Sequence, residues 1–389
     1  MTPETILLVH NRYRENGGED QVFRQESDLL RAHGHQVHEY VESNEDIDES
    51  RPVAAGLEAI WSRRAVAALR SRLHETNPSV VHFHNTFGRI SPGAYYACRR
   101  AGVPVVQTLH NYRLGCLNAC CIRDGRTCDV CVSKLVPWSG LLHHCYRGSA
   151  AASLAMAGIG TVHRAMGTYK RKVDAFISTS HFARSIHVRS GVPAARSFVK
   201  PNFTQAVPDN GARRNRTILF AGRICGEKGI HVLLEAWRLA GVENMELAIA
   251  GDGPDLAAMG APASRIRLLG HVPHERLLEL MRECACLVHP SLVWENCSLV
   301  ILEALAAGMP IIASGHGSFT ELVTDGETGW LFPPGDPHAL ARALQQVAEA
   351  GEERLRRMGE AARNAHRANF SAEASYGRLA EIYGSVCRS

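Results

Sequence analysis

The sequence lacks any run of about 18 uncharged apolar residues, so it contains no segment that predicts a membrane-spanning helix. It also lacks a strong excess of either charge, because 43 Lys and Arg residues nearly balance 39 Asp and Glu residues. A net charge of +4 argues against nucleic acid as a partner, although anionic ligands and an anionic membrane surface stay open. The start, "MTPETILLVHNRYRENGG", has no cleavable leader pattern. We therefore expect a cytoplasmic protein, with peripheral contact to the inner face of the membrane as an open alternative.

Short apolar runs alternate with amphipathic helical stretches along the chain, which is the pattern of parallel sheets covered by helices. A length of 389 residues favours two domains. The segment "TQAVPDNGARRNR", residues 204–216, is rich in turn formers and charge and predicts a linker. We expect an α/β protein with doubly wound domains over residues 1–203 and 217–370, and a closing helix over 371–389 that packs back on the first domain. The carboxyl ends of the two sheets would face one cleft, where open α/β sheets bind ligands.

The stretch "LFAGRICGEKGIHVLLEAW" predicts a strand, a glycine-bearing turn and a helix. Arg223 and Lys228 lie in the turn, where the N–H groups and dipole of a helix start already favour an anion. Two added cations indicate a diphosphate site, and the alternative is a solvated turn before an ordinary helix. "AGDGP", which contains Gly251, repeats the geometry one unit later and is a weak signal alone.

Two glutamates lie in the otherwise apolar stretch "SLVWENCSLVILEALAAGMPII". We expect Glu295 at the carboxyl end of a strand and Glu303 in the second turn of a helix that begins near Cys297 or Ser298. A buried carboxylate without a partner is costly, which favours a ligand that meets both acids. The alternative is one surface acid and one structural ion pair.

Several of these motifs together resemble the donor half of the retaining glycosyltransferases of family 4, which have the GT-B fold. They are "GRICGEKG", "GDGP", "GHVPHERL" and "HPSLVWENCSLVILEALAAGMPIIAS", the last with the E-x(7)-E spacing. In the first half "HNRYRENGGED", "VVHFHNTF", "QTLHNYRLGC" and "SFVKPN" follow in the order of that family. One departure is Ser298, which stands where the family commonly has a glycine, and it leaves the donor preference open.

The resemblance implies a retaining, metal-independent transfer of sugar from a nucleoside-diphosphate sugar to a glycan or lipid-linked saccharide. Arg223 and Lys228 would hold the diphosphate, Glu303 the ribose and Glu295 the transferred sugar. His110 would also contact that sugar, whereas without the family context it is an ordinary structural histidine at a strand end. The implied catalytic residues are His110, Glu295, Arg223 and Lys228. The other implied donor-binding residues are Gly17, Gly18, Gly222, Gly251, His271, Val272, Asn296, Cys297, Ser298, Leu299 and Glu303.

Cysteines are concentrated between residues 116 and 145. Cys128 and Cys131 form a C-x-x-C pair, and with Cys116 and Cys145 they have the composition of a structural zinc site. Buried apolar cysteines and a redox-sensitive loop are the alternatives. A D-x-D match at residues 46–48 lies in an acidic loop, and we interpret it as a solvated turn rather than a metal site.

A basic amphipathic stretch, "GLEAIWSRRAVAALRSRL", runs from Gly56 to Leu73. Such a helix can rest on an anionic membrane surface, and the alternative is a helix packed on its sheet with a solvated arginine face.

Two other functions stay open for the chain. One is a glycoside hydrolase with Glu295 and Glu303 as acid and base, and the other is a non-catalytic subunit that binds a nucleotide sugar.

Overall fold

A computed structural model describes residues 3–14, 17–47, 52–209, 211, 213–257 and 264–387. The chain divides into two compact units. Unit 1 comprises Met1–Cys121, Cys128–Pro201 and Ser375–Ser389, and unit 2 comprises Ile122–Thr127 and Asn202–Ala374. Each has a six-stranded parallel sheet with helices, so the predicted α/β class is confirmed. In the described part of the chain, no helix combines the length and apolar character needed to cross a bilayer.

The strands are β1 (Thr5–Arg12), β2 (Gln36–Ser43), β3 (Val80–Phe83), β4 (Val105–Leu109), β5 (Ile122–Arg123), β6 (Arg126–Thr127), β7 (Ala175–Ser178), β8 (Ser197–Val199), β9 (Thr217–Ala221), β10 (Glu246–Ala250), β11 (Ile266–Gly270), β12 (Cys286–His289), β13 (Ile311–Ser314) and β14 (Gly329–Phe332). The α-helices are α1 (Gly18–Ala32), α2 (Pro52–Ile60), α3 (Arg63–Thr76), α4 (Ala94–Arg100), α5 (Trp138–Leu142), α6 (Ala150–Ala165), α7 (Thr168–Lys172), α8 (His181–Arg189), α9 (Ile230–Ala240), α10 (His274–Glu283), α11 (Leu299–Ala306), α12 (Phe319–Leu322), α13 (Pro337–Glu349), α14 (Glu352–Asn369) and α15 (Ala372–Val386).

The sheet of unit 1 has the strand order β2-β1-β3-β4-β7-β8. Successive residues of β1 enter opposite faces, with Leu7 and Val9 in one core and Ile6 and Leu8 in the other. Both faces are covered, which explains why these strands are continuous apolar runs rather than alternating ones. The terminal helix α15 contributes Leu379 to the core that contains Ile6.

The sheet of unit 2 has the order β11-β10-β9-β12-β13-β14, so its first strand lies in the middle. Ile218 and Phe220 of β9 pack in one core, and Leu219 and Ala221 pack in the other. The winding reverses between β9 and β12, and the carboxyl ends of strands at such a reversal are where open α/β sheets bind ligands. The loops after these two strands are therefore the first place to look for a site.

The predicted amphipathic helix between Gly56 and Leu73 is two helices. α2 ends at Ile60 and α3 starts at Arg63, because the Ser62 side chain accepts the N–H of Ala65 and caps α3. Leu69 and Leu73 of α3 are buried in the core of the sheet. For α3 the structure favours the alternative, a helix packed on its sheet, since its apolar face is buried, and contact of the stretch with a membrane stays a prediction.

The segment 204–216, of which residues 210 and 212 lie outside the described part, belongs to unit 2, and its described residues contact other elements of that unit. The Thr204 hydroxyl lies 2.9 Å from Nε2 of His366. The guanidinium of Arg214 donates to the carbonyls of Cys284 and Gly308, each at 2.7 Å. The role of this segment as a domain linker stays a prediction.

Candidate functional site

Lys228 and Glu295 form an ion pair at the reversal point of the unit 2 sheet. Lys228 ends a short 3-10 helix, Gly226–Lys228, that follows β9, and Glu295 lies in the loop after β12. The Nζ atom of Lys228 is 2.6 Å from Oε1 of Glu295, and both side chains are partly exposed. The sequence singled out both residues, and strand order brings them together.

His289, the last residue of β12, is a third member of this cluster, and sequence reasoning missed it. Its Nε2 lies 3.1 Å from the same Oε1 of Glu295. Burial alone would raise the pKa of Glu295, but Lys228 and then His289 hold it well below its ordinary range. Burial opposes the charge of Lys228 as well, yet Glu295 raises the pKa of the ammonium overall. The pair is therefore carboxylate and ammonium at neutral pH.

Two glycines allow the loops of this site to pack backbone against backbone. Gly229 has φ +74°, and a Cβ there would lie 2.0 Å from the carbonyl oxygen of Pro290. Gly251 has φ +145°, and a Cβ there would lie 1.9 Å from the carbonyl oxygen of Gly222. The loops after β9, β10 and β12 are thus held together without intervening side chains. Gly222 itself has open space around a Cβ position.

An exposed cation and a helix start complete the cluster. Arg223 is exposed on the loop after β9. Helix α11 begins at Leu299, slightly later than predicted, with Ser298 as an N-cap that makes no side-chain capping hydrogen bond. Cys297 is buried, and its carbonyl accepts a hydrogen bond from the Asn202 side chain, whereas Asn296 is half-buried. The unpaired N–H groups of a helix start attract anions, so this cluster suits a phosphate group.

Glu303 lies in the second turn of α11, as predicted, and it is buried. Its Oε1 is 2.9 Å from Nε2 of His274, the first residue of α10. His271 is exposed and Val272 is half-buried in the loop between β11 and α10. The two glutamates therefore have different partners, and His274 was missed although it lies within the quoted motif "GHVPHERL".

His110 lies at the end of a buried polar chain in unit 1. It follows β4, and its Nε2 is 3.0 Å from Nδ1 of His84, which follows the neighbouring strand β3. Nε2 of His84 is 3.1 Å from Oε1 of Glu26 on α1. The other carboxylate oxygen of Glu26 is 2.7 Å from Nζ of Lys200. Sequence reasoning found only His110 of these four residues.

The protonation of this chain follows from its charges. Burial would raise the pKa of Glu26, but Lys200 holds it well below its ordinary range. Burial lowers the pKa of His84 to about 4 and that of His110 well below its ordinary value. A carboxylate only accepts, so neutral His84 carries its hydrogen on Nε2 and accepts at Nδ1. His110 then donates from Nε2, which fixes its tautomer and leaves Nδ1 as its acceptor nitrogen.

Glu26, His82 and His84 form the one group in the described part of the chain whose metal-ligating atoms lie within 4.8 Å of one another. His82 is occupied by the Tyr383 hydroxyl at 2.8 Å and the Thr108 hydroxyl at 2.8 Å. The ammonium of Lys200 already neutralises the carboxylate and would repel a cation. We therefore interpret this group as a structural network and not as a metal centre.

The twelve cysteines are thiols in the structure. A hydrogen bond between the Cys116 and Cys121 side chains lowers the pKa of Cys116 and raises that of Cys121. In the described part of the chain, no three cysteine sulfur atoms of residues 116–145 lie within 4.8 Å of one another. Structural zinc at Cys116, Cys128, Cys131 and Cys145 stays a prediction.

Gly17 and Gly18 lie at the start of α1. Gly17 is the N-cap residue with an extended φ of −130°, and a Cβ there would meet nothing within 4 Å. Its N–H donates to the Asp20 side chain at 3.0 Å. The fold does not require a glycine at position 17, and the open space beside it is compatible with a ligand. Of the D-x-D match, Asp46 ends a 3-10 helix, and Asp48 lies outside the described residues.

Two family models together match most of the chain. A family model described as Glycosyltransferase Family 4 matches residues 16–205, and one described as Glycosyl transferases group 1 matches residues 204–365. A phosphatidyl-myo-inositol mannosyltransferase of Mycobacterium leprae is 34% identical over 46% of this chain and 48% of its own length. For this and several other curated relatives, the match spans only about half of their length.

Two further similarities extend over most of the chain. An alpha-D-kanosaminyltransferase of Streptomyces kanamyceticus is 26% identical over 85% of this chain and 84% of its own length. The structure of HepE from Anabaena, solved in complex with UDP and glucose, superimposes with a TM-score of 0.66. That superposition covers 98% of this chain and 99% of HepE at 18% identity, which shows a shared fold.

Proposed function

Because the chain belongs to the group 1 glycosyltransferases of family 4, with the GT-B fold, we propose that it transfers a sugar from a nucleoside-diphosphate sugar. The acceptor in this proposal is a glycan or a lipid-linked saccharide. The observation that carries it is the Lys228–Glu295 pair at the reversal point of the unit 2 sheet, with Arg223 exposed on the same loop.

In the donor site that we propose, the diphosphate binds against Lys228, Arg223 and the start of α11. Lys228 is partly exposed, so its ammonium can turn from Glu295 towards a phosphate without having to leave a buried position. As the bond between sugar and diphosphate breaks, negative charge grows on the leaving group, and fixed cations and helix N–H groups stabilise it. This neutralisation needs no metal ion, and we propose a metal-independent reaction. The binding of UDP by HepE supports a nucleoside diphosphate as the leaving group.

Glu295 and Glu303 have separate roles in this proposal. Glu303, whose carboxylate has His274 beside it, accepts hydrogen bonds from the ribose hydroxyls, as the family resemblance implies. Glu295 accepts hydroxyls of the transferred sugar, because it is already a carboxylate next to the proposed phosphate position. The family resemblance implies retention of the anomeric configuration.

His110 has a positioning network that supports a contact with the sugar. The chain from Glu26 through His84 holds the His110 ring in place, and we propose that this ring forms a hydrogen bond with a hydroxyl of the bound sugar. His110 also lines a cavity of about 80 Å³ in unit 1, together with His84, Asn111 and Arg113. A cavity of this size holds several water molecules or part of a sugar ring. We propose that it receives part of the acceptor.

The test is product analysis with purified full-length protein. The protein is incubated with UDP- and GDP-sugars and alkyl glycosides as acceptors, with and without EDTA, and products are identified by NMR. We expect nucleoside diphosphate and a glycoside with the donor's anomeric configuration in both buffers. Lys228→Ala should lose the reaction, whereas Arg357→Ala, an exposed cation on α14, should keep it.

Two results would contradict the proposal. Release of free sugar from a neutral oligosaccharide without any nucleotide would indicate a glycoside hydrolase. Binding of a nucleotide sugar with no turnover against any acceptor in the panel would indicate a non-catalytic subunit.

A further inference from the structure

The exposed large apolar side chains of this protein are concentrated in one region of unit 1. Those recorded in the described part of the chain are Leu57, Val130, Leu135, Trp138, Leu142, Leu154, Val162 and Met166. Trp138 is 67% exposed and Leu142 is 78% exposed, and both lie on the short helix α5. Apolar side chains gathered on a surface in this way mark an interaction site more often than scattered ones do.

Direct contacts join the segments that carry these side chains. Helix α6, which carries Leu154 and Val162, packs against both α2 and α5. The Thr161 hydroxyl of α6 donates to the carbonyl of Leu135, and the Arg164 guanidinium donates to the carbonyl of Lys134. The segment 130–136, α5, α6 and α2, which carries Leu57, are therefore contiguous in unit 1.

The same region is strongly basic. Between Asp129 and Asp174 the sequence has no acidic residue. It has six cations in that interval, Lys134, Arg147, Arg164, Lys170, Arg171 and Lys172. Lys134, Arg147, Lys170 and Arg171 are exposed.

The acids at the margins of this region offset little of its charge. Asp129 pairs with Arg189 at 2.6 Å, and Asp174 pairs with Arg99 at 2.9 Å. Glu58 on α2 is an exposed acid next to Leu57. Helix α7, which carries Lys170 and Arg171, packs against α6, and Lys170 lines the same pocket as Leu135, so positive charge lies close to the exposed apolar side chains. We call the apolar residues and the four exposed cations together the basic apolar surface.

We propose that the basic apolar surface docks on an anionic lipid bilayer. Trp138, Leu142 and Leu135 would enter the boundary between headgroups and acyl chains, while Lys134, Arg147, Lys170 and Arg171 contact anionic headgroups. A second copy of this chain is a poorer occupant, because a symmetric contact would place two sets of unbalanced cations against each other. The proposal does not depend on the transferase reaction, although docking would bring the protein to lipid-linked acceptors.

The experiment is co-sedimentation of full-length protein with vesicles of phosphatidylcholine, with and without phosphatidylglycerol. We expect binding to the anionic vesicles only, and weakening by salt because the cations are exposed. Trp138→Ala with Leu142→Ser, and separately Lys170→Glu with Arg171→Glu, should each lower the partition coefficient about tenfold or more. The matched control is Arg342→Glu with Arg357→Glu, which makes the same charge change at exposed positions of unit 2 and should stay within about twofold.

Other outcomes would overturn the proposal. Equal binding to neutral and anionic vesicles, no binding to either, or equal losses in the surface and control variants would each contradict it. Self-association that the Trp138→Ala and Leu142→Ser variant abolishes, without vesicle binding, would show a second copy as the occupant. Since no sugar donor is present, none of these results bears on the transferase proposal.

Discussion

Each unit contains a glutamate that pairs with a lysine and at least one histidine, but the two clusters differ in access to solvent. Glu26 and Lys200 are 0% and 1% exposed, whereas Glu295 and Lys228 are 14% and 28% exposed. The ion-pair distances are nearly equal, 2.7 Å and 2.6 Å. The same chemical groups therefore serve two purposes. We call Glu26, Lys200 and His84 the sealed cluster, and Glu295, Lys228 and His289 the open cluster. In the sealed cluster the charges neutralise one another and hold His84 in place. In the open cluster the charges can interact with a ligand.

The largest effect that separates the clusters is expected from Glu26→Ala. This change leaves the ammonium of Lys200 buried without its carboxylate, so the free energy of unfolding should fall by about 3–5 kcal/mol. Glu295→Ala should cost about 1 kcal/mol or less, because Lys228 is partly exposed to water. Urea unfolding followed by circular dichroism measures both.

A double variant keeps this comparison testable if Glu26→Ala does not fold. Glu26→Leu with Lys200→Met removes both charges and should recover much of the lost stability, since a buried ion pair is often replaceable by apolar groups. Equal losses from Glu26→Ala and Glu295→Ala would show that the two clusters do not differ as described.

Turnover, unlike stability, should depend strongly on the open cluster. Glu295→Ala should lower kcat by about 10²–10³-fold, because it removes the acceptor for the transferred sugar and disturbs Lys228. Its thermal stability should change little. Steady-state kinetics with a saturating donor sugar gives kcat, and an unchanged kcat would show that Glu295 has no role in the reaction.

Acid should weaken the sealed cluster more than the open one. The pKa of His84 is about 4 in the folded protein against 6.5 for an ordinary histidine. The unfolded chain therefore binds more protons between these values, and stability falls as the pH drops from 6.5 towards 4. The pKa of Glu26 is also held low, so its contribution is present above about pH 4.5 and is lost as the pH falls further.

The lowered pKa of His84 corresponds to a loss of about 3 kcal/mol in the free energy of unfolding as the pH falls from 6.5 towards 4. Urea unfolding at several pH values measures it. His84→Gln should reduce the slope of the free energy of unfolding against pH. His231→Gln, at a side chain that is mostly exposed on α9, should leave that slope unchanged. A slope that is the same in all three proteins would contradict the assigned burial effect.

The smallest effect is expected at Glu303. Glu303→Ala should raise the Kd of a nucleoside diphosphate about tenfold through the lost ribose hydrogen bonds, while kcat at saturating donor falls less than in Glu295→Ala. Isothermal titration calorimetry measures the Kd. If Glu303→Ala changed kcat more than Kd, the roles proposed for the two glutamates would have to be exchanged.

The sequence predicted the open cluster better than the sealed one, for a physical reason. Glu295 and Glu303 stand out because they interrupt an apolar run, and Arg223 and Lys228 stand out in a glycine-bearing turn. Glu26 lies on an amphipathic helix, where an acid is ordinary, and only the fold shows that it points inward. Lys200 and His84 are 116 residues apart in the chain, and each contacts the carboxylate of Glu26.

Strand order was the other information that the sequence did not supply. The apolar runs predicted both sheets, and the α/β class followed from them. The pairing of Lys228 with Glu295 depends on β9 and β12 being neighbours although β10 and β11 lie between them in the chain. The sequence also did not separate α2 from α3. Their apolar residues form one continuous pattern, although the Ser62 cap starts a new helix. Contacts between distant segments decide these features, and local patterns do not report them.

The most direct test of the open cluster as a diphosphate site is calorimetric. UDP and GDP are each titrated into the protein, and their affinities are compared with those of UMP and GMP, respectively. We expect at least one diphosphate to bind about tenfold or more tightly than its monophosphate, and Lys228→Ala with Arg223→Ala to abolish that difference. Equal affinity for a diphosphate and its monophosphate, or a preference for the diphosphate that survives loss of both cations, would contradict the account.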